Sequence, residues 1–227
     1  MKFKPEYNLD VKRTKRKKTI ALEVRDNGVK ITVPYNLSVE EIEKILEKKN
    51  NWINNKLLFQ KRKPKYKAKL FLDGEKFLFL GVEYKLKIVY SKTYNVYREN
   101  SFICIQRKKN GVSSKKILEN YYRQEAKVIF KNKVKHFEKI LNLKSSNIKL
   151  RAYMRRWGSC NTQGELAFNW RLIMAPEKVI NYVIVHELCH IVHYNHSKKF
   201  WNLVRYHYPS YKDQVNWLNK YSNCLLW

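Results

Sequence analysis

"VIVHELCHIVHYNHSKKFW", residues 183–201, places four of the chain's six histidines and one carboxylate in a stretch that is otherwise mostly apolar. His186 and His190 are four residues apart. On a helix they share a face and sit about 6 Å apart along the axis. Two imidazoles so placed converge on one ion at roughly 2.0–2.1 Å each. Glu187 follows the first histidine and points to a neighbouring part of the same face. This is the HExxH arrangement, in which the glutamate serves as general base toward a water on the metal.

A catalytic zinc needs a third protein ligand and one open position. A downstream glutamate is excluded, because none follows Glu187. Asp213 is the one later carboxylate. His193 shares the helix face but lies about 7.5 Å along the axis from the midpoint of the His186/His190 pair, too far on an unbroken helix. His196, six residues beyond His190, returns to the ion if the helix ends near His193–Asn195. Metzincin-type sites have this spacing but turn on a glycine, where this chain has His193. Asn195 tolerates the left-handed conformation and is expected to end the helix, with Ser197 capping the next one. His196 is therefore the best third candidate, with Asp213 and His193 behind it.

The rest of the chain bounds the reading. Hydrophobic residues make up 44% and aromatics 14%, enough for a sizeable core. No apolar run is long enough to cross a membrane. The basic N-terminus lacks an apolar signal core, so the expected location is the cytoplasm. Cys104, Cys160, Cys189 and Cys224 are widely spaced, which predicts reduced, structural thiols. The formal net charge is +29, and residues 1–150 carry +23 of it. Such a charge predicts weak, non-specific attraction to nucleic acid or other polyanions, concentrated at "KRTKRKK" (12–18). The competing reading is a lysine-rich composition spread over solvated faces.

Residues 20–33 alternate apolar and polar around Asn27-Gly28. They predict a hairpin turning at that pair, with Val24 opposite Ile31 and Leu22 opposite Val33. Ser38 and Glu41 have capping-box spacing ahead of a helical stripe through Ile42, Ile45 and Leu46. Residues 59–68 read as a basic linker, and 69–107 as further strands. Ser114 to about Leu143 reads as one long helix burying Ile117, Tyr121, Val128, Val134 and Phe137. Strands through "NIKLRAY" and "RRWGSC" follow, with a turn at Gln163-Gly164. Pro176 then opens the histidine-bearing helix. Helices holding Phe200, Trp201 and Val204, then Val215, Trp217 and Leu218, complete the chain. The expected class is α+β: a β-rich N-terminal region with helices (1–110) and a zincin-like metallohydrolase domain (111–227) with a small antiparallel sheet and the HExxH helix.

"RWGSC" (156–160), "HELCHIVHYNHSKKFW" (186–201) and "YPSYKDQVNWL" (208–218) together resemble the YgjP-like metallopeptidase family, predicted metal-dependent hydrolases related to the SprT-like zincins. A weaker likeness extends to the N-terminal hairpin and "LGVEYKLKI" (80–88). The resemblance implies one Zn²⁺ per chain held by His186, His190 and His196, with Glu187 catalytic, and a peptide or protein substrate.

The expected function is thus a zinc metallopeptidase. Alternatives are a zinc-dependent hydrolase of a nucleotide or other phosphoanhydride, and a nucleic-acid-associated protein with structural zinc. A structural site needs a fourth protein ligand, and Cys189 points off the histidine face. Tyr194, His207, Tyr211 and Arg156 are candidate donors to a developing oxyanion.

Overall fold

The computed structural model describes residues 6–25, 28–64 and 68–227. The chain divides into two compact units, Met1–Pro64 and Lys65–Trp227.

The first unit holds β1 (Leu9–Thr14), β2 (Ala21–Arg25), β3 (Gly28–Pro34) and α1 (Val39–Lys61), with strand order β1-β3-β2. The hairpin register differs from the sequence expectation. Val24 pairs with Val29, Leu22 with Ile31, and Arg25 with Gly28. Asn27, the first residue of the expected turn pair, lies outside the described residues. The two-residue shift keeps the same side chains on the buried face, because strand side chains alternate with period two. Gly28 serves a different need. β1 runs parallel to β3, and a Cβ at Gly28 would lie 2.2 Å from the Asn8 carbonyl oxygen. Val29 N–H donates to that same oxygen at 2.8 Å.

Val29, Ile31 and Val33 pack with Ile42, Leu46 and Ile53 of α1 to form this unit's core. The capping box is present in both directions: Glu41 N–H donates to Ser38 Oγ at 3.2 Å and Ser38 N–H to Glu41 Oε2 at 2.8 Å. α1 continues through Phe59–Lys61, which composition had assigned to the linker. Within the basic run, the Arg13 guanidinium donates to the carbonyls of Tyr35 and Leu37 at 2.8 and 2.7 Å. It ties β1 to the β3–α1 connection.

The second unit begins with a four-stranded sheet, β4 (Lys76–Phe79), β5 (Val82–Tyr90), β6 (Asn95–Glu99) and β7 (Phe102–Arg107), in the order β4-β5-β7-β6. It continues with α2 (Ser114–Leu141) and a three-stranded sheet of β8 (Asn147–Arg151), β9 (Gly158–Cys160) and β10 (Glu165–Asn169). A 3-10 turn at Trp170–Met174 leads into α3 (Glu177–Cys189), followed by α4 (Lys198–His207) and α5 (Tyr211–Tyr221). The α+β class holds. β9 and β10 form the expected antiparallel pair, and β8 joins β10 in parallel, so the small sheet is mixed.

The break comes at Pro64 and Lys65 rather than near residue 110. The reason is packing: Phe77, Phe79, Leu86 and Ile103 of the four-stranded sheet share one core with α2 and α3. Tyr122 O–H donates to the Leu78 carbonyl at 2.8 Å, and the amides of Leu80 and Gly81 donate to the carbonyls of Ile173 and Met174. The buried row on α2 is Leu118, Tyr122, Ala126, Phe130 and Val134, each one helical turn from the next. Val128 is 59% exposed, because two residues from Ala126 and from Phe130 is the opposite side of a helix.

Candidate active site

α3 is apolar nearly all round, with Val179, Ile180, Val183, Ile184, Val185, Leu188 and Cys189 all buried. A helix of that kind belongs inside a core. It carries His186 and Glu187, which line a cleft of about 450 Å³. The helix ends at Cys189, earlier than the sequence indicated, and His190 is its C-cap. The chain then tightens through i→i+3 bonds, Ile191 N–H to the Leu188 carbonyl and Val192 N–H to that of Cys189. Asn195 is not left-handed. Its Oδ1 instead accepts from Ser197 N–H at 3.2 Å, and Ser197 Oγ caps α4 by accepting from Phe200 N–H. The tight bonds after Leu188 thus do the turning expected of a left-handed residue.

His186, His190 and His196 are brought together, with one ring nitrogen from each within 4.8 Å of the others. No other group of three or more His, Cys, Asp or Glu side chains among the described residues is so placed. The Nε2 atoms of His186 and His196 are 3.1 Å apart. Tetrahedral coordination at roughly 2.0–2.1 Å puts about 3.3 Å between two ligand nitrogens, so the spacing already suits an ion. The outward nitrogens are engaged: His190 Nδ1–H donates to the His193 carbonyl at 2.9 Å, and Tyr182 Oη lies 3.3 Å from His186 Nδ1. The His190 bond puts its proton on Nδ1 and leaves the Nε2 lone pair free, the arrangement typical of metal-bound imidazole. His193 thus contributes its carbonyl rather than its ring. Asp213, on α5, is not among the cleft-lining residues.

Aromatic rings from α4 hold the imidazoles in place. Phe200 stacks on His190 with centroids 4.4 Å apart, and Trp201 stacks on His196 at 5.5 Å. Burial, with His190 and His196 nearby, lowers the His186 pKa to about 3, and burial also lowers that of His190. Both rings therefore favour the neutral form, the one able to bind a metal.

Glu187 is 6% exposed, and burial raises its pKa to about 8 against the opposing pull of Arg156. The β9 backbone passes directly over it. A Cβ at Gly158 would lie 2.5 Å from Glu187 Oε1 and 2.6 Å from its Cγ. Nothing in the stretch "RWGSC" as a sequence marks its glycine for this contact. Of the four oxyanion candidates, Arg156 and Tyr194 line the cleft. His207 does not, and Tyr211 is stacked on Trp201. Cys160 also lines the cleft, where burial and the Glu187 charge push its thiol up to about 11. Cys189 is buried with its thiol pushed up to about 12, and all four cysteines are free.

β9 is an edge strand of its sheet. Asn169 N–H donates to the Trp157 carbonyl and Asn161 N–H to that of Glu165. By the alternation of an antiparallel ladder, the amides and carbonyls of Gly158 and Cys160 then face away from β10, toward the open edge.

An α+β unit with an HExxH helix, a third histidine on the following loop and an edge strand beside the cleft defines a metallopeptidase-like class. The chain belongs to the YgjP-like family: the model of the YgjP-like metallopeptidase domain matches residues 18–221. A search of curated proteins finds no match. Among solved structures, the metallopeptidase zymogen of Methanocaldococcus jannaschii jannalysin is 26% identical, with a TM-score of 0.35, covering 39% of this chain and 90% of that one. The metallopeptidase zymogen of Pyrococcus abyssi abylysin is 18% identical, with a TM-score of 0.34, covering 38% and 90%. No helix among the described residues is long and apolar enough to cross a membrane.

Proposed function

We propose that the protein is a zinc metallopeptidase in which His186, His190 and His196 hold the ion and Glu187 is the general base. The observation that carries this reading is the convergence of three imidazoles on one point beside a buried carboxylate, facing a cleft. Zinc, when bound, supplies Lewis acidity toward a carbonyl and a water. Glu187 takes the proton of the attacking water and delivers it to the leaving amine; a raised pKa suits a group that must do both near neutral pH. The outward amides and carbonyls of Gly158 and Cys160 offer an extended peptide a strand to pair with. Arg156 or Tyr194 donates to the developing oxyanion.

A phosphoanhydride substrate is the less favoured reading, because among the described residues Arg156 is the only Lys or Arg lining the cleft. Zinc-loaded protein assayed against casein, a peptide library and a panel of nucleoside triphosphates separates the two. Peptide cleavage that vanishes in Glu187→Gln supports the proposal. Triphosphate hydrolysis without peptide cleavage overturns it.

Gly158→Ala tests the placement of Glu187. The new methyl meets the Glu187 side chain from Cγ to the carboxylate rather than backbone, so it is that side chain that must shift. A carboxylate displaced by about 1 Å costs on the order of a hundredfold in rate. The expected result is near-parental melting temperature and zinc content with turnover reduced by about that factor. Parental turnover in Gly158→Ala would show that the close approach has no catalytic consequence.

A further inference from the structure

α2 carries Lys127, Lys131 and Lys135 in one row, each a helical turn from the next. Among the described residues, none of the three forms an ion pair or a side-chain hydrogen bond. Like charges at i,i+4 destabilise a helix, so the row gains from an anionic neighbour. The three lysines form one wall of a groove of about 480 Å³, whose apolar lining comes from Phe130, Ile148 and Leu150. Ile148 and Leu150 belong to β8, the edge strand on the opposite side of the small sheet from β9.

The groove does not stand alone. It shares Ser145 and Ser146 with a second depression of about 410 Å³, over the β9–β10 turn. That depression shares Tyr194 with the histidine cleft. The three form a connected furrow from the candidate metal site to the lysine row. Glu138, at the groove's end, is already engaged, its Oε1 accepting from Ser145 N–H and Oγ–H.

We infer that this furrow is an exosite for an acidic, extended stretch of the polypeptide substrate, an inference that rests on the peptidase reading above. Successive lysines in the row rise by about 6 Å. Alternate side chains of an extended peptide are spaced about 6.6 Å, so glutamates at every second position meet the row nearly in step. The apolar lining receives their methylene stems and the intervening side chains. A nucleic-acid backbone has nothing to place against it. The same furrow gives part of the positive charge on residues 1–150 a specific task.

The test is binding, read in zinc-loaded Glu187→Gln protein so that no cleavage intervenes. Fluorescence anisotropy compares a labelled peptide alternating Glu with Val and Thr against its Gln counterpart and a labelled single-stranded oligonucleotide. The expected result is about tenfold tighter binding of the acidic peptide, weakening with salt, since each exposed charge pair is worth a factor of a few. Replacing Lys127, Lys131 and Lys135 together by Gln abolishes the preference. Replacing Lys44, Lys48 and Lys49 of α1, an equal loss of charge elsewhere, leaves it. Circular dichroism checks the fold, which Lys→Gln on an exposed helix face preserves. Equal binding of the acidic and neutral peptides, or equal loss in both triple variants, overturns the exosite. So does an oligonucleotide that binds more tightly than the acidic peptide and loses that binding with the α2 row. Failure of the parent protein to cleave any peptide would instead count against the peptidase reading, and is seen separately.

Discussion

Glu187→Gln is expected to keep the fold and the metal while losing peptide hydrolysis by about 10²–10⁴-fold, the range associated with removing a positioned general base. The substitution is nearly isosteric, so the space under Gly158 stays filled and the cleft keeps its shape. Gln is neutral, so nothing charged is left desolvated at a position that is 6% exposed. The rings of His186, His190 and His196 hydrogen-bond to Tyr182, the His193 carbonyl and one another rather than to Glu187, so zinc content is expected to remain at about one per chain. Three measurements check this together: metal content, melting temperature and turnover on the best peptide from the library. Wild-type turnover in Glu187→Gln would remove the general-base assignment altogether. Loss of metal together with turnover would mean that Glu187 is a ligand rather than a base.

What the sequence disclosed is mostly what rests on short-range geometry. The capping box at Ser38 and Glu41 reads off four residues and is present bond for bond. The His186/His190 spacing is likewise local, and His196 follows from counting how far a chain must run to return. What stayed hidden depends on partners distant in the chain. Asn27-Gly28 looks like a turn pair, but Gly28 answers to the Asn8 carbonyl across a parallel pairing that no local pattern announces. Val128 belonged to a plausible helical stripe, and the true stripe lies on the row set by Tyr122 and Phe130, which face the two sheets. Gly158 is the instructive omission. Its role exists because β9 crosses Glu187, 29 positions later in the chain, and a glycine between Trp157 and Ser159 gives no sign of that. The one signal was its place in the "RWGSC" stretch that carries the family resemblance.

His196→Ala is expected to lower zinc affinity by more than about a hundredfold, since loss of an outer partner of a ligand already costs 10–100-fold. His196 differs from the other two candidates in how it is held. His186 and His190 come from α3 and its cap, and their outward nitrogens meet Tyr182 and the His193 carbonyl. His196 is exposed and is kept in place by stacking on Trp201 and by the Ser197 cap of α4. Removing it deletes an exposed ring whose contacts are with His186, Phe200 and Trp201, so the metal-free variant is expected to melt close to the parental temperature. The metal-loaded proteins then differ. A ligand present at a hundred times its Kd stabilises the fold by about 2.7 kcal/mol, a gain that a hundredfold weaker site in His196→Ala cuts to about 0.4 kcal/mol at the same zinc concentration. Chelator competition and melting with and without zinc read this without any assay of activity. Unchanged affinity and an unchanged zinc-induced shift would assign the third ligand to His193 or Asp213. The geometry opposes both, because the His193 ring is outside the cluster and Asp213 is outside the cleft.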